Sequence, residues 1–362
     1  MYFYQPFKEG KTMKKLIALA LVSAASSAVM AEGITWSGDF KYRYERNDQK
    51  VDATKNQKYN QERMALRLSA LATPVENVKV EARLATGTGL TSTNQTTGVS
   101  ASAGQNYDFK LDRANVAYEM MEKLVLTAGR MGVKYQTAGS DLLWDNDVNL
   151  DGLHLGYKLS LGDVELMTNL GSFQVIQTDT LNGKEATLQA YQLAAKGAFG
   201  ETSYTLASGV NNFVGLDKVA AGTNNTNAGV GFKVWDTNLE VKLPLSLPVT
   251  LFVDYAKNIA GKTDSKGTAS LFGFKLNNLK DAGSWMVSYD YRKVEKYSTV
   301  GLYTDSESFF SGKTDGKGSR VKVAYQLNNA LALGANYFSG KTAISTTPKD
   351  FTRLQLDLSA KF

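Results

Sequence analysis

The last ten residues, Arg353–Phe362, read RLQLDLSAKF. Leu354, Leu356, Leu358, Ala360 and Phe362 alternate with Arg353, Gln355, Asp357, Ser359 and Lys361. A period of two places the five apolar side chains on one face of an extended strand and the polar ones on the other. The segment therefore predicts a strand between an apolar medium and water, ending on an aromatic residue in the apolar register.

The same texture runs back through the chain. Alternation predicts strands at Ile34–Glu45, Arg63–Ala72, Val78–Ala85, Tyr107–Met120, Leu124–Arg130, Gly152–Leu159, Val164–Gly171 and Leu188–Ala198. Further strands are expected at Thr202–Val210, Ala228–Leu243, Val249–Lys257, Ala269–Leu276, Ser284–Lys293, Ser319–Leu327, Ala330–Ser339 and Phe351–Phe362. Ala228–Leu243 is long enough to hide two strands. The alternation slips phase between Leu111 and Ala114, which predicts a bulge. Short turns and long polar loops alternate between about sixteen strands. An even-numbered antiparallel barrel has this pattern, with its short turns on one rim, its long loops on the other and both chain ends together. The expected fold is all-β: a transmembrane antiparallel β-barrel over residues 32–362, with short periplasmic turns and long extracellular loops. A soluble β-sandwich would need shorter strands facing one core, and no fixed repeat supports a solenoid.

Met13-Lys14-Lys15, the apolar run Leu16–Val22 and small residues up to Val29-Met30-Ala31 form a secretory signal, expected to be cut after Ala31. Met1–Thr12 read as an upstream extension of that signal. The apolar run is much shorter than the ~20 residues of a membrane-spanning helix. The chain has no cysteine, so it contains no disulfide framework and no thiolate metal site. The formal charge of +6 includes four lysines and one glutamate of the signal, and the remainder carries about +3. That charge is too weak, and too evenly spread, for a nucleic-acid partner.

In a membrane barrel the apolar face meets lipid and the polar face lines the lumen. The polar face of the first strands carries Arg43, Arg63, Arg67 and Arg83, and Arg113 and Arg130 follow on the next two. These six of the ten arginines are expected to line one patch of pore wall. Like charges this close persist only beside compensating acids or passing anions. Residues 131–149 offer the acids Asp141, Asp145 and Asp147, with Asp151 at the end of the segment and Leu142-Leu143-Trp144 between them. A water-exposed loop has little use for Leu-Leu-Trp. The segment is therefore expected to fold into the lumen and set its acids across from the arginines, sorting solutes by size, charge and dipole.

Leu111–Tyr118 (LDRANVAY), followed by Leu124–Arg130 (LVLTAGR), resembles the strands that precede the third loop of Gram-negative outer-membrane porins of the general-diffusion type. The opening Trp36–Phe40 and the terminal Phe362 are similar to the ends of such barrels, and the looser group described as "putative porin" is the best match. The third loop lacks the Pro-Glu-Phe-Gly-Gly-Asp stretch of the enterobacterial members. The resemblance implies sixteen strands in the outer membrane of a Gram-negative bacterium, a homotrimer, and passive diffusion of small hydrophilic solutes and ions. It also implies contact with outer-membrane lipid and lipopolysaccharide, and Phe362 as the signal read by the barrel assembly machinery. Aromatics such as Tyr42, Tyr118, Tyr157, Tyr255 and Tyr325 suit interfacial girdles.

Two other classes fit parts of this pattern. A non-conducting adhesin or structural barrel would share the architecture. A barrel enzyme would need a catalytic constellation, but the only histidine, His154, is followed by Leu155-Gly156 and has no hydroxyl at a pairing position. No metal-ligand spacing or phosphate-cradling motif is present, so the expectation is neither enzyme nor cofactor.

Overall fold

The computed structural model describes residues 33–50, 56–87, 92–98, 107–176, 185–218, 230–261, 266–305, 307 and 314–362. The signal at 1–31 lies outside the described residues.

The strands in chain order are β1 (Ile34–Lys50), β2 (Asn56–Val75), β3 (Val78–Thr86), β4 (Gln95–Thr96), β5 (Phe109–Met121), β6 (Leu124–Gly132), β7 (Asn149–Leu161), β8 (Val164–Ile176) and β9 (Ala186–Phe199). They continue as β10 (Thr202–Val214), β11 (Phe232–Leu243), β12 (Val249–Asn258), β13 (Thr268–Leu276), β14 (Trp285–Val294), β15 (Gly316–Gln326), β16 (Leu331–Thr342) and β17 (Lys349–Lys361). Each pairs antiparallel with its sequence neighbours, except that the two-residue β4 pairs only with β2, and β3 passes directly to β5. Among the described residues, β4 apart, sixteen strands build the wall.

The wall closes where β1 pairs with β17, from Asp39 opposite Lys361 to Gln49 opposite Phe351. Gly38 and Phe362 exchange both backbone hydrogen bonds, 2.7 and 3.0 Å long. A Cβ on Gly38 would lie 2.5 Å from the Phe362 ring, so only glycine lets the terminal aromatic lie across the seam. Among the described residues, closure leaves the sixteen-strand wall without an unpaired edge, which is the condition for a sheet to stand in hydrocarbon.

The two faces invert the usual distribution. Leu111, Leu153, Leu193 and Phe272 lie on the outer face and are each more than half exposed. Asp290, Arg292, Glu45 and Asn47 point inward and are at most 3 % exposed. In water each exposed leucine or phenylalanine would forgo roughly 1.5–3 kcal/mol of burial, so the outer surface is stable only against lipid.

Three details refine the sequence reading. The phase slip is a bulge: Arg83 opposes Arg113 and Leu84 opposes Leu111, with Asp112 as the extra residue. Ala228–Leu243 holds one strand, β11, its first two residues lying outside the described part. The β1–β2 ribbon runs much further than expected, to Lys50 and back from Asn56. There the outer face carries Arg46, Asp48, Lys58 and Asn60 and is as polar as the inner one, so the alternation fades although the backbone pairing continues.

Candidate functional site

Inner-face residues are assigned by register, because directly opposed residues share a face. Arg43 and Arg63 oppose one another, as do Arg83 and Arg113, and Arg67 opposes Asp39. The bulge at Asp112 turns an acid inward beside Arg83.

Every one of these arginines is held by acids. Arg43 forms a two-pronged pair with Asp357 at 2.6 and 2.8 Å and also meets Glu307. Arg63 stands 3.8 Å from both Glu45 and Glu307. Arg67 pairs with Asp39 at 2.9 Å and with Asp147 at 3.0 Å. Arg83 is paired with Asp112, and Arg113 contacts Glu81 at 3.2 Å and the Asn149 amide oxygen at 2.8 Å. The crowding of like charge is relieved pair by pair along the wall.

Arg130 differs from the expectation. It opposes Ala114 and Asp151, and Asp151 in turn opposes Gln174. That row has the parity of Leu126 and Leu153, the outer face, so Arg130 is removed from the pore wall. Asp151 belongs to β7 rather than to the loop and is Arg130's cross-strand ion partner. Neighbouring Gly129, in the Gly-Arg pair of the sequence motif, has φ +115°, and a Cβ there would stand 2.3 Å from the Ala114 carbonyl oxygen. A glycine is required where β5 and β6 come this close.

Residues 133–148 cross the interior. The backbone of Gln136 is clamped by Gln192, its N–H donating at 2.8 Å and its carbonyl accepting at 2.9 Å. Leu142, Leu143 and Trp144 pack among the inner-face residues Phe213, Val234 and Leu271. His154 is buried on the inner face, 3.2 Å from the Asn169 amide oxygen and edge-on to Tyr135.

The three loop acids go to different places. Asp147 reaches Arg67, on the wall expected for it. Asp141 crosses to a wall that sequence reading had not marked, bonding Arg292 and Arg320 at 2.7 Å each. Burial alone would raise the Asp141 carboxyl, but these two guanidiniums hold it far below the usual carboxylate range. Asp145 lies beside Asp305; burial and that like charge push its carboxyl up to about 8.

A second inward segment was missed. The connection after β14 was read as a plain polar loop, but its Tyr297, Val300 and Tyr303 are buried in the same apolar cluster. The Tyr303 ring lies tilted against Trp144, ring centres 5.6 Å apart, and the Tyr303 carbonyl accepts the Asp145 N–H at 2.7 Å. Glu307, further along this connection, pairs with Arg43; although burial opposes it, Arg43 above all holds its carboxyl down at about 2. The apolar residues of Tyr297–Tyr303 carried the same signal that Leu-Leu-Trp gave for the earlier loop.

Between the two loops and the wall remains a cavity of about 510 Å³. Its lining includes Lys41, Arg43, Arg67, Lys275, Arg320 and Lys322, and against them Asp141, Asp145, Asp147, Asp290, Asp305, Glu307 and Asp357.

The sequence matches the family described as "Putative porin" over residues 26–205 and 229–362. No curated protein sequence matches. Among solved structures, the high-pH form of Pseudomonas putida OprB superposes with a TM-score of 0.63 at 10% identity, covering 94% of this chain and 97% of its own. The outer membrane channel DcaP of Acinetobacter baumannii gives 0.52 at 12% identity, covering 91% and 97%. Salmonella typhi OmpF, in complex with daunomycin, gives 0.53 at 11% identity, covering 91% and 97%. With the family match spanning most of its length, the chain belongs to this porin family and is an outer-membrane channel for passive diffusion.

Proposed function

We propose that residues 131–149 form the constriction of the channel, and that small hydrophilic solutes and ions pass it down their gradients without an energy source, a cofactor or a catalytic step. The observation that carries this reading is the course of the loop, with Asp141 on Arg292 and Arg320 at one wall and Asp147 on Arg67 at another. The lining of the remaining cavity is nearly balanced in charge, which favours weak overall ion preference and sorting by dipole. Purified protein in a planar bilayer should show stepwise ohmic conductance. A non-conducting adhesin would insert without steps, and an enzyme would turn over substrate in detergent.

Arg63, Arg67 and Arg83 are proposed to set the local ion preference. Neutral glutamine at all three leaves Glu45, Asp39, Asp147 and Asp112 without those partners, so the reversal potential under a potassium chloride gradient is expected to move toward potassium. An unchanged reversal potential would count against a role for this wall.

The homotrimer is part of the same reading. An ion pair such as Arg130–Asp151 on the outer face costs roughly 2–4 kcal/mol at mid-membrane if lipid covers it. A neighbouring copy over the small-residue row Ala70, Ala82 and Ala114, which the β2, β3 and β5 registers align with Arg130, removes that cost. Arg130→Ala, which strands Asp151, is expected to lower the temperature at which trimers dissociate in mild detergent, measured by light scattering. The N-terminal 31 residues are proposed as a cleaved signal peptide, Phe362 as the assembly signal, and lipopolysaccharide as the outer-leaflet partner.

A further inference from the structure

The arginines of the cavity are already engaged. Arg43 is held by Asp357 and Glu307, Arg67 by Asp39 and Asp147, and Arg320 by Asp141 and Asp290. The lysines are not: among the described residues no carboxylate lies within 4 Å of Lys41, Lys275 or Lys322. A guanidinium locked between two acids has little charge left for a passing solute. An ammonium facing water across a cavity keeps both its charge and its three donors.

Two of these lysines share one row of the sheet. Lys275 on β13 directly opposes Ser288 on β14, Ser288 opposes Lys322 on β15, and Lys322 opposes Asn336 on β16. Ser288 thus stands between the two lysines, and Lys275, Ser288, Lys322 and Asn336 all line the 510 Å³ cavity. Adjacent strands are about 4.8 Å apart, so the two lysine backbones stand roughly 10 Å from each other. Each four-carbon arm reaches far enough for both ammonium groups to converge over the serine. The hydroxyl between them makes no hydrogen bond to the described protein, and the asparagine amide adds a donor at the end of the row.

We propose that Lys275, Ser288, Lys322 and Asn336 form a binding site for a compact oxyanion bearing two negative charges, of the sulfate or phosphate class, on the diffusion path beside the constriction. Two converging ammoniums favour a dianion over chloride, because its double charge doubles the Coulomb term with each ammonium and its separate oxygens can accept from both. The bound anion neutralises the wall and occludes the cavity while resident. This site rests on the channel reading above and adds a ligand class to it.

The test is single-channel recording in potassium chloride with potassium sulfate added to one side at constant ionic strength. Sulfate is expected to reduce the chloride current with a saturating dependence on concentration. In the Lys275→Gln, Lys322→Gln double variant the half-blocking concentration should rise at least tenfold. Lys41→Gln, on the β1 wall outside the row, should change it less than twofold. Inorganic phosphate at pH 8 should repeat the pattern. The inference is overturned if block is linear in sulfate, if the double variant blocks like the parent, or if Lys41→Gln weakens block as much as the double variant does. Protein that inserts but conducts no ions at all fails the channel reading instead.

Discussion

Replacing Asp141 by alanine is expected to raise the single-channel conductance and turn the ion preference toward anions. Its carboxylate is the contact that ties residues 133–148 to the far wall, with 2.7 Å bonds to Arg292 and to Arg320. Both guanidiniums keep Asp290, and Asp305 stays 3.7 Å from each, but one negative charge leaves the cavity lining. Breaking one side of a buried, hydrogen-bonded ion network costs about 3–5 kcal/mol. That is enough to let the loop leave the centre of the lumen while the hydrogen-bonded wall stays closed. The measurement is conductance in a planar bilayer together with limited proteolysis of the folded barrel; unchanged conductance with an unchanged cleavage pattern would refute the anchor. The pH dependence has a definite sign. The carboxyl is held below its ordinary value, so its contribution is complete above the usual carboxylate range near 4 and fades only as pH falls well below it. Asp141→Ala should therefore differ from the parent across pH 5–9 and converge with it only in strong acid.

The second large effect is a selectivity change centred near pH 8. Asp145 carries its proton up to about 8, because it is buried beside Asp305, with Asp147 and Glu307 near by. At pH 6.5 it adds no charge to the cavity; at pH 9.5 it adds a full negative one. The reversal potential should therefore move toward cations as pH rises, with most of the change within about one unit of 8. The coupling to structure runs the same way. A carboxyl whose pKa is raised by folding opposes folding increasingly as pH climbs from the ordinary carboxylate range to about 8, so the contact between the Asp145 N–H and the Tyr303 carbonyl weakens in alkali. Asp145→Asn keeps the backbone bond and removes the titration. It should hold the acid-side selectivity through pH 9.5. A parent channel whose reversal potential is flat between pH 6.5 and 9.5 would refute the assignment.

The inner wall shows how far residues can be read before folding. Arg43, Arg63, Arg67, Arg83 and Arg113 were placed on the polar face by alternation alone, and the register aligns them as cross-strand neighbours. Arg130 was misplaced although β6 alternates by itself: it shares the parity of Leu124 and Leu126, and its pairing with Ala114 sets the same face. Asp290, Arg292, Arg320 and Lys322 alternate as clearly as the early arginines do, in YDYRKV and SRVKVAY, yet they drew no attention because they are not crowded in sequence. The importance of Arg292 and Arg320 arises from Asp141, which lies 151 and 179 residues away in the chain.

Two-fold alternation, the phase slip near Asp112 and the closing aromatic strand were determined by the sequence itself. Each is a local requirement, set by the geometry of a strand between lipid and water, and can be read a few residues at a time. Which acid meets which base was decided only by the tertiary structure. A barrel wall brings β1 to β17 and β14 to β15 at fixed spacing, but the loops inside choose their partners by length, apolar packing and charge together. For that reason Asp147 found the expected arginine wall, Asp141 the β14–β15 wall four to five strands further round, and Tyr303 of an unremarked loop came to rest against Trp144.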